Sequence, residues 1–249
     1  MTLVLVHGNP ETDAIWRPLI TELGRDDVVC LSPPGFGAPV PDGFGATVTE
    51  YRDWLVGELE SFDEPVHLLG HDWGGGHVVN VAMSRPDLLL GWATDVIGLF
   101  DPEYVWHDLA QVWQTPGEGE TQTAAMMGGS SADRAERMVG LGFPPAVAAA
   151  VAAEQGERMG RSILALYRSA AQPVLAELGR GLESAAARPG LSILATEDHF
   201  VGSDDIRHRS ASRAGAKTEV LDGLGHWWML QDPVRAAAVI DRFLTETAD

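Results

Sequence analysis

The stretch Val66-His67-Leu68-Leu69-Gly70-His71-Asp72-Trp73-Gly74-Gly75-Gly76 decides how the chain is read. Residues 66–69 are a short apolar run of the length and character of a buried parallel strand. Gly70-x-Asp72-x-Gly74 follows, and residues 77–83 continue as a helix. A strand, a tight turn and a helix, with a reactive residue between two glycines, is the layout of a nucleophile elbow. The turn is strained, and a Cβ on either side of its apex would strike neighbouring backbone, which accounts for the glycines. Gly and Asp are also ordinary turn residues, so the elbow is argued from its partners elsewhere in the chain. The familiar elbow carries Ser; here the apex is Asp72. A carboxylate is ionised at neutral pH without help from a base, and it can attack an sp³ carbon to leave an alkyl ester on the protein. That chemistry suits opening an epoxide or expelling a halide better than acyl transfer.

Before this stretch, Leu3–Val6 reads as a buried strand ending at His7-Gly8-Asn9-Pro10. Thr12 or Asp13 caps a helix carrying Trp16, Leu19, Ile20 and Leu23, which Gly24 stops. Val28–Leu31 is the next strand, and Ser32-Pro33-Pro34-Gly35-Phe36-Gly37 a rigid turn. Thr47 or Thr49 caps a helix over residues 51–62. After the elbow helix, residues 92–99 read as a strand. Alternating strands and helices with short loops predict a doubly wound parallel sheet. The rhythm breaks at Asp101. From there to residue 189 the pattern is helical, with helices over residues 104–113, 132–140, 145–156, 158–171 and 174–182, which reads as a cap inserted into the sheet domain. Strands resume at 191–195 and 218–221, and helices cover 204–214 and 233–245. The division is therefore a core of residues 1–100 and 190–249 around a cap of 101–189.

Open parallel sheets place their sites at strand ends. Asp198 follows the strand at 191–195, and His226 follows the last strand, within Gly225-His226-Trp227-Trp228. A histidine oriented by a carboxylate can take a proton from water, and that water can hydrolyse an ester on Asp72. The oxyanion formed then needs two donors. The backbone N–H of Trp73 and that of Asn9, in the turn after the first strand, are the candidates. Phe36, Trp106, Trp113, Trp227 and Trp228 are candidates for an apolar pocket wall.

His7-Gly8-Asn9-Pro10, Gly70-His71-Asp72-Trp73-Gly74-Gly75 and Gly225-His226-Trp227-Trp228 resemble the α/β-hydrolase superfamily. Asp72 followed by Trp73 resembles its epoxide hydrolase and haloalkane dehalogenase branch. The resemblance implies an α/β-hydrolase fold with an Asp72–His226–Asp198 triad and no metal or organic cofactor. The antiparallel strands that usually precede the oxyanion turn are not read here, so about six strands are expected, with a less protected edge. Leu164-Ala165-Leu166-Tyr167-Arg168 resembles the segment carrying a cap tyrosine of epoxide hydrolases, which implies Tyr167 as proton donor to an epoxide oxygen. Residues 113–120 resemble the segment after their first cap tyrosine, but Leu109 stands in that tyrosine's place. His107 is offered as a substitute by a shifted alignment, and Tyr104 lies one turn back. Asn9 with Trp73 resembles instead the halide-binding pair of many haloalkane dehalogenases. Some of these place the acid after the strand ending near Leu99, which makes Asp101 the alternative to Asp198. The resemblance thus favours an epoxide hydrolase narrowly, with a dehalogenase or a non-catalytic binding protein as alternatives.

The composition sets outer bounds. A net charge of -19 repels nucleic acid, and no apolar stretch reaches membrane-spanning length. The partners that the resemblance implies are a small apolar substrate and water. Cys30 is the only cysteine, so no internal disulfide forms. Met1-Thr2 leads directly into the first strand without a basic leader, and a cytoplasmic location is the expectation.

Overall fold

A computed structural model describes residues 1–247. Its centre is a six-stranded sheet in which every pairing is parallel: β1 (Leu3–Val6), β2 (Val28–Leu31), β3 (Val66–Gly70), β4 (Leu89–Thr94), β5 (Gly190–Ala195) and β6 (Ala216–Leu221). The order across the sheet is β2-β1-β3-β4-β5-β6. It reverses direction next to β1, and β3 lies in the middle of the sheet. The C-terminal ends of β1, β3, β4 and β5 therefore converge on one crevice.

Both faces of the sheet are covered, and the strand period of two assigns the side chains. Val4 and Val6 enter one apolar layer, while Leu3 and Leu5 enter the other. Each fully buried aliphatic side chain contributes roughly 1.5–3 kcal/mol. Helices α1 (Arg17–Leu23) and α12 (Pro233–Glu246) cover one face; α2 (Val48–Leu59), α3 (Trp73–Ser84) and α10 (Asp204–Arg213) supply the other. The Thr12 side chain caps the 3₁₀ turn Asp13–Trp16 that leads into α1, and Gly24 ends α1 at φ 60°. Thr47 caps α2 in a reciprocal pair with Glu50.

Between β4 and β5 the chain is helical: α4 (Asp108–Gln114), α5 (Glu118–Met127), α6 (Ser131–Gly140), α7 (Pro145–Glu154), α8 (Glu157–Ser169) and α9 (Val174–Leu178), then a 3₁₀ segment over Gly179–Ala187. Leu182 and Ala185 of that last segment sit in the core with α3, and the Trp92 indole donates to the Ala185 carbonyl. A short helix α11 (Trp228–Gln231) precedes α12.

Several elements differ from the sequence reading: the helix expected over 104–113 begins at Asp108, that over 174–182 is α-helical only to Leu178, and α11 was not expected. The strand expected over 92–99 runs over Leu89–Thr94, because Asp95 turns inward, and Ile97 and Leu99 are buried from a 3₁₀ turn instead. Helix α5 was not anticipated: Gly117 and Glu120 cap it, but its sequence carries little apolar periodicity to announce it. Cys30 is half-buried on edge strand β2, and burial raises its thiol pKa to about 11. Among the described residues, no helix is long and apolar enough to cross a membrane.

Candidate active site

Strand β3 delivers Asp72 to the crevice in a conformation open to few non-glycine residues, φ 50° and ψ -129°. Helix α3 starts at the next residue. Close approach explains the surrounding glycines. A Cβ on Gly74 would lie 2.2 Å from the Val6 carbonyl oxygen, and a Cβ on Gly8 would lie 2.2 Å from Asp72 Oδ1. Asp72 Oδ1 accepts from the Asn9 backbone N–H at 3.0 Å and the Asn9 side-chain amide at 3.3 Å. Burial raises the Asp72 pKa to about 6, against the downward pull of the His226 and His71 imidazoles.

The loop after β6 brings His226 over this carboxylate. Its Nε2 stands 3.7 Å from Asp72 Oδ2, and its Nδ1 is bonded to Asp198 Oδ2 at 2.8 Å. Asp198 also accepts from the Phe200 N–H at 3.0 Å. Burial opposes ionisation of Asp198, yet the His226 imidazole and that N–H hold its pKa at about 2. Burial likewise works against a charged His226, and Asp198 more than offsets it, so the His226 pKa lies above 6.5. Asp101, the alternative acid, lies elsewhere: its two oxygens are held by Arg209 at 2.8 Å each.

A cavity of about 280 Å³ opens above Asp72 and His226. Asn9, His107, Trp113, Tyr167 and Trp227 line it. Its apolar wall is otherwise made by Leu109, Met126, Met138, Leu141 and Phe200, none of which the sequence singled out for that purpose. Phe36 does not line this cavity; it is buried against Tyr51, 5.9 Å between ring centres. Trp106 does not line it either; its ring lies tilted against Trp73, 5.8 Å between centres, with Tyr167 against both. Trp228 is fully buried, and its indole donates to Asp95.

The Tyr167 side chain lines the cavity with Asn9, and its ring stands edge-on to Trp73 at 5.4 Å. Burial, reinforced by the Asp72 carboxylate, raises its pKa well above 10, so the phenol keeps its proton. Gln114 donates to the Tyr167 carbonyl at 3.2 Å, and Arg168 is paired with Glu120 at 2.8 Å, which fixes α8 against α4 and α5. His107 caps α4, its Nδ1 accepting from the Ala110 N–H at 3.2 Å. Burial lowers its pKa to about 4, so the ring is neutral with its proton on Nε2. The Tyr104 hydroxyl is engaged by the Phe200 carbonyl at 2.9 Å.

Three further residues of the site were missed. Glu11, His71 and Asp95 are fully buried directly behind Asp72 and His226. His71 Nδ1 meets Asp95 Oδ2 at 2.5 Å and its Nε2 meets Glu11 Oε1 at 3.3 Å. The other oxygen of Asp95 accepts from the Asp72 N–H at 3.1 Å. The available signal was a lone acid, Asp95, ending an apolar strand. Among the described residues, Glu11, His71 and His226 bring potential metal-ligand atoms within 4.8 Å of one another. Both His71 nitrogens are already taken up by carboxylates, so that set does not fit a resident metal.

Comparison with known proteins agrees with the fold. A family profile described as "Alpha/beta hydrolase family" matches residues 3–239. Haloalkane dehalogenase 2 of Mycobacterium tuberculosis is 32% identical over 110 residues, covering 39% of this chain and 38% of that protein. A haloalkane dehalogenase of Mesorhizobium japonicum is 28% identical over 134 residues, covering 48% of this chain and 41% of that protein. The chain thus spans well under half the length of these curated relatives. The crystal structure of haloalkane dehalogenase DbeA from Bradyrhizobium elkani superposes with a TM-score of 0.70 at 21% identity, covering 100% of this chain and 91% of that one. The chain belongs to the α/β-hydrolase family.

Proposed function

We propose that the protein hydrolyses a small apolar electrophile through an alkyl ester on Asp72, with an epoxide as the favoured substrate and a vicinal diol as product. The observation carrying this reading is an Asp at the apex of the elbow with a carboxylate-bound imidazole standing 3.7 Å off it. That separation suits a base that acts on water rather than on Asp72. In the first step an Asp72 oxygen forms a bond to the less hindered epoxide carbon as the carbon–oxygen bond breaks, and Tyr167 protonates the departing oxygen. His107, neutral and lining the cavity, is a second hydrogen-bond donor to it. In the second step His226, oriented by Asp198, takes a proton from water. The hydroxide equivalent attacks the Asp72 carbonyl carbon, and the backbone N–H groups of Asn9 and Trp73 hold the oxyanion. The alkoxy group departs with a proton as the diol. Helices α4–α8 act as a cap that closes the apolar cavity over the reacting carbon.

A haloalkane is the second reading, favoured by the Asn9 amide beside Asp72 and by the dehalogenases among the relatives. A departing halide needs N–H donors rather than a proton, and the side chains of Asn9 and Trp73 supply them. Both readings share the ester, so the test starts there. His226→Gln, incubated with terminal epoxides and bromoalkanes, is expected to accumulate an adduct of substrate mass on the peptide containing Asp72. An unmodified peptide, with wild-type protein consuming the same substrate, rules the ester out. Diol and bromide release by the wild type then separates the two leaving groups, and ligand binding with neither product identifies a non-catalytic binder.

A further inference from the structure

Three consecutive side chains after β6 each reach a different carboxylate. His226 bonds Asp198 after β5, the Trp227 indole donates to Glu11 after β1, and the Trp228 indole donates to Asp95 after β4. Glu11 and Asp95 in turn clamp His71, whose ring lies 4.6 Å from that of His226. The steps proposed above use neither Glu11, His71 nor Asp95.

The protonation of His71 follows from its partners. An ionised carboxylate only accepts hydrogen bonds. Asp95 already accepts from Trp228 and from the Asp72 N–H, and Glu11 from Trp227. These donors favour the ionised acids, so the ring between them must offer hydrogen at both nitrogens. We propose that His71 is a fixed imidazolium, and that its charge, balanced against the Glu11 carboxylate, sets how readily His226 takes a proton. His71, Glu11 and Asp95 are then positioning residues of this site. Burial alone would neutralise His71, but Asp95 and Glu11 raise its pKa well above 6.5, in keeping with this charge.

The groups that face His226 are Asp72 from the elbow, His71 from the end of β3, Glu11 from the loop after β1, Asp198 from the loop after β5, and His107 from the helical insertion. Arg207, buried in α10, acts on it through Asp198 and Asp95. Asp198 raises the basicity of His226 and His107 is neutral. His71 and Glu11 are opposite charges, each with a ring nitrogen or carboxylate oxygen within 4.8 Å of a His226 nitrogen, and Glu11 Oε2 is buried without a partner. Forming the ester would remove the Asp72 charge and leave this balance to govern water activation.

The two sides of the balance can be removed separately, and the consequence has opposite signs. His71→Gln leaves two carboxylates without their cation, so His226 should bind its proton more tightly. Glu11→Gln keeps an acceptor for Trp227 and leaves the cation, so His226 should bind its proton less tightly. Nitrogen-15 NMR of histidine-labelled, substrate-free protein reads both. His71 is expected to carry hydrogen on both ring nitrogens at pH 8. The His226 titration is expected to move up by about one pH unit in His71→Gln and down by about one in Glu11→Gln. A neutral His71 ring at pH 7, or shifts of the same sign in the two variants, overturns the inference; a packing role alone predicts no opposed shifts. If His71→Gln does not fold, the downward shift in Glu11→Gln and the doubly protonated His71 of the wild type decide it. The link to water activation rests on the ester reading, but the titration does not. Opposed shifts without an ester would count against that reading and leave the charge assignment standing.

Discussion

Asp72 is where burial and reactivity meet. With its pKa raised to about 6, it is mostly ionised at neutral pH and becomes protonated as the pH falls through 6. A protonated carboxyl is a poor nucleophile, so single-turnover ester formation should decline below pH 6. Ester breakdown needs His226 neutral, so its decline on acidification should follow the titration of that imidazole in the ester. Rapid quench with mass analysis separates the two steps, and ester formation undiminished at pH 5 would contradict an ionised Asp72 as attacking group. The Tyr167 phenol, held protonated beside Asn9 and Trp73, makes a second prediction. Tyr167→Phe should slow epoxide opening by at least about 100-fold and bromide release far less; equal slowing would remove Tyr167 as proton donor. At this scale the residues at strand ends were legible. Asp72 and Asp198 each follow an apolar run and His226 follows the last strand, and the fold brings them together. Glu11 and Asp95 were not legible, because their partners come from distant strands: Asp95 and Trp228 are 133 positions apart. The pocket wall was read from aromatic content, which does not separate Trp113, on the surface of the cavity, from Trp106 and Phe36 behind it.

Among the elements, Gly74 in the elbow and Gly8 in the turn after β1 are required for different reasons. A Cβ at Gly74 meets the backbone of β1, which cannot yield without moving a central strand, whereas a Cβ at Gly8 meets the side chain of Asp72. Gly74→Ala should therefore lower the chemical-denaturation midpoint strongly, by an equivalent of about 3 kcal/mol, or prevent folding. Gly8→Ala should cost less stability while displacing the carboxylate and removing most turnover. Similar stability losses in both variants would show that the Gly8 contact is also rigid. The elements themselves were readable where a period and a cap coincide. Thr47 with Glu50 opens α2, and Gly24 closes α1. They were less readable where burial comes from an irregular segment. Ile97 and Leu99 are as apolar as strand residues but follow Asp95, whose turn toward His71 and Trp228 ends the strand early.

Across the whole molecule, a six-stranded parallel sheet buries its centre and leaves β2 and β6 at its edges. The alternation of strands and helices was sufficient to anticipate this architecture. The helical insertion was legible as a change of rhythm, although the 3₁₀ segment that returns from it packs beneath α3 in the main core. The loop His226-Trp227-Trp228 ties together the ends of β1, β4 and β5, which lie on separate strands of that sheet. A tie of this kind couples local openings that would otherwise be independent. Backbone amides at those three strand ends should exchange their hydrogens with solvent at a common rate. Replacing Trp227 and Trp228 by Phe should let the ends of β1 and β4 exchange sooner than β5, still held through His226 and Asp198, as mass-resolved deuterium uptake would record.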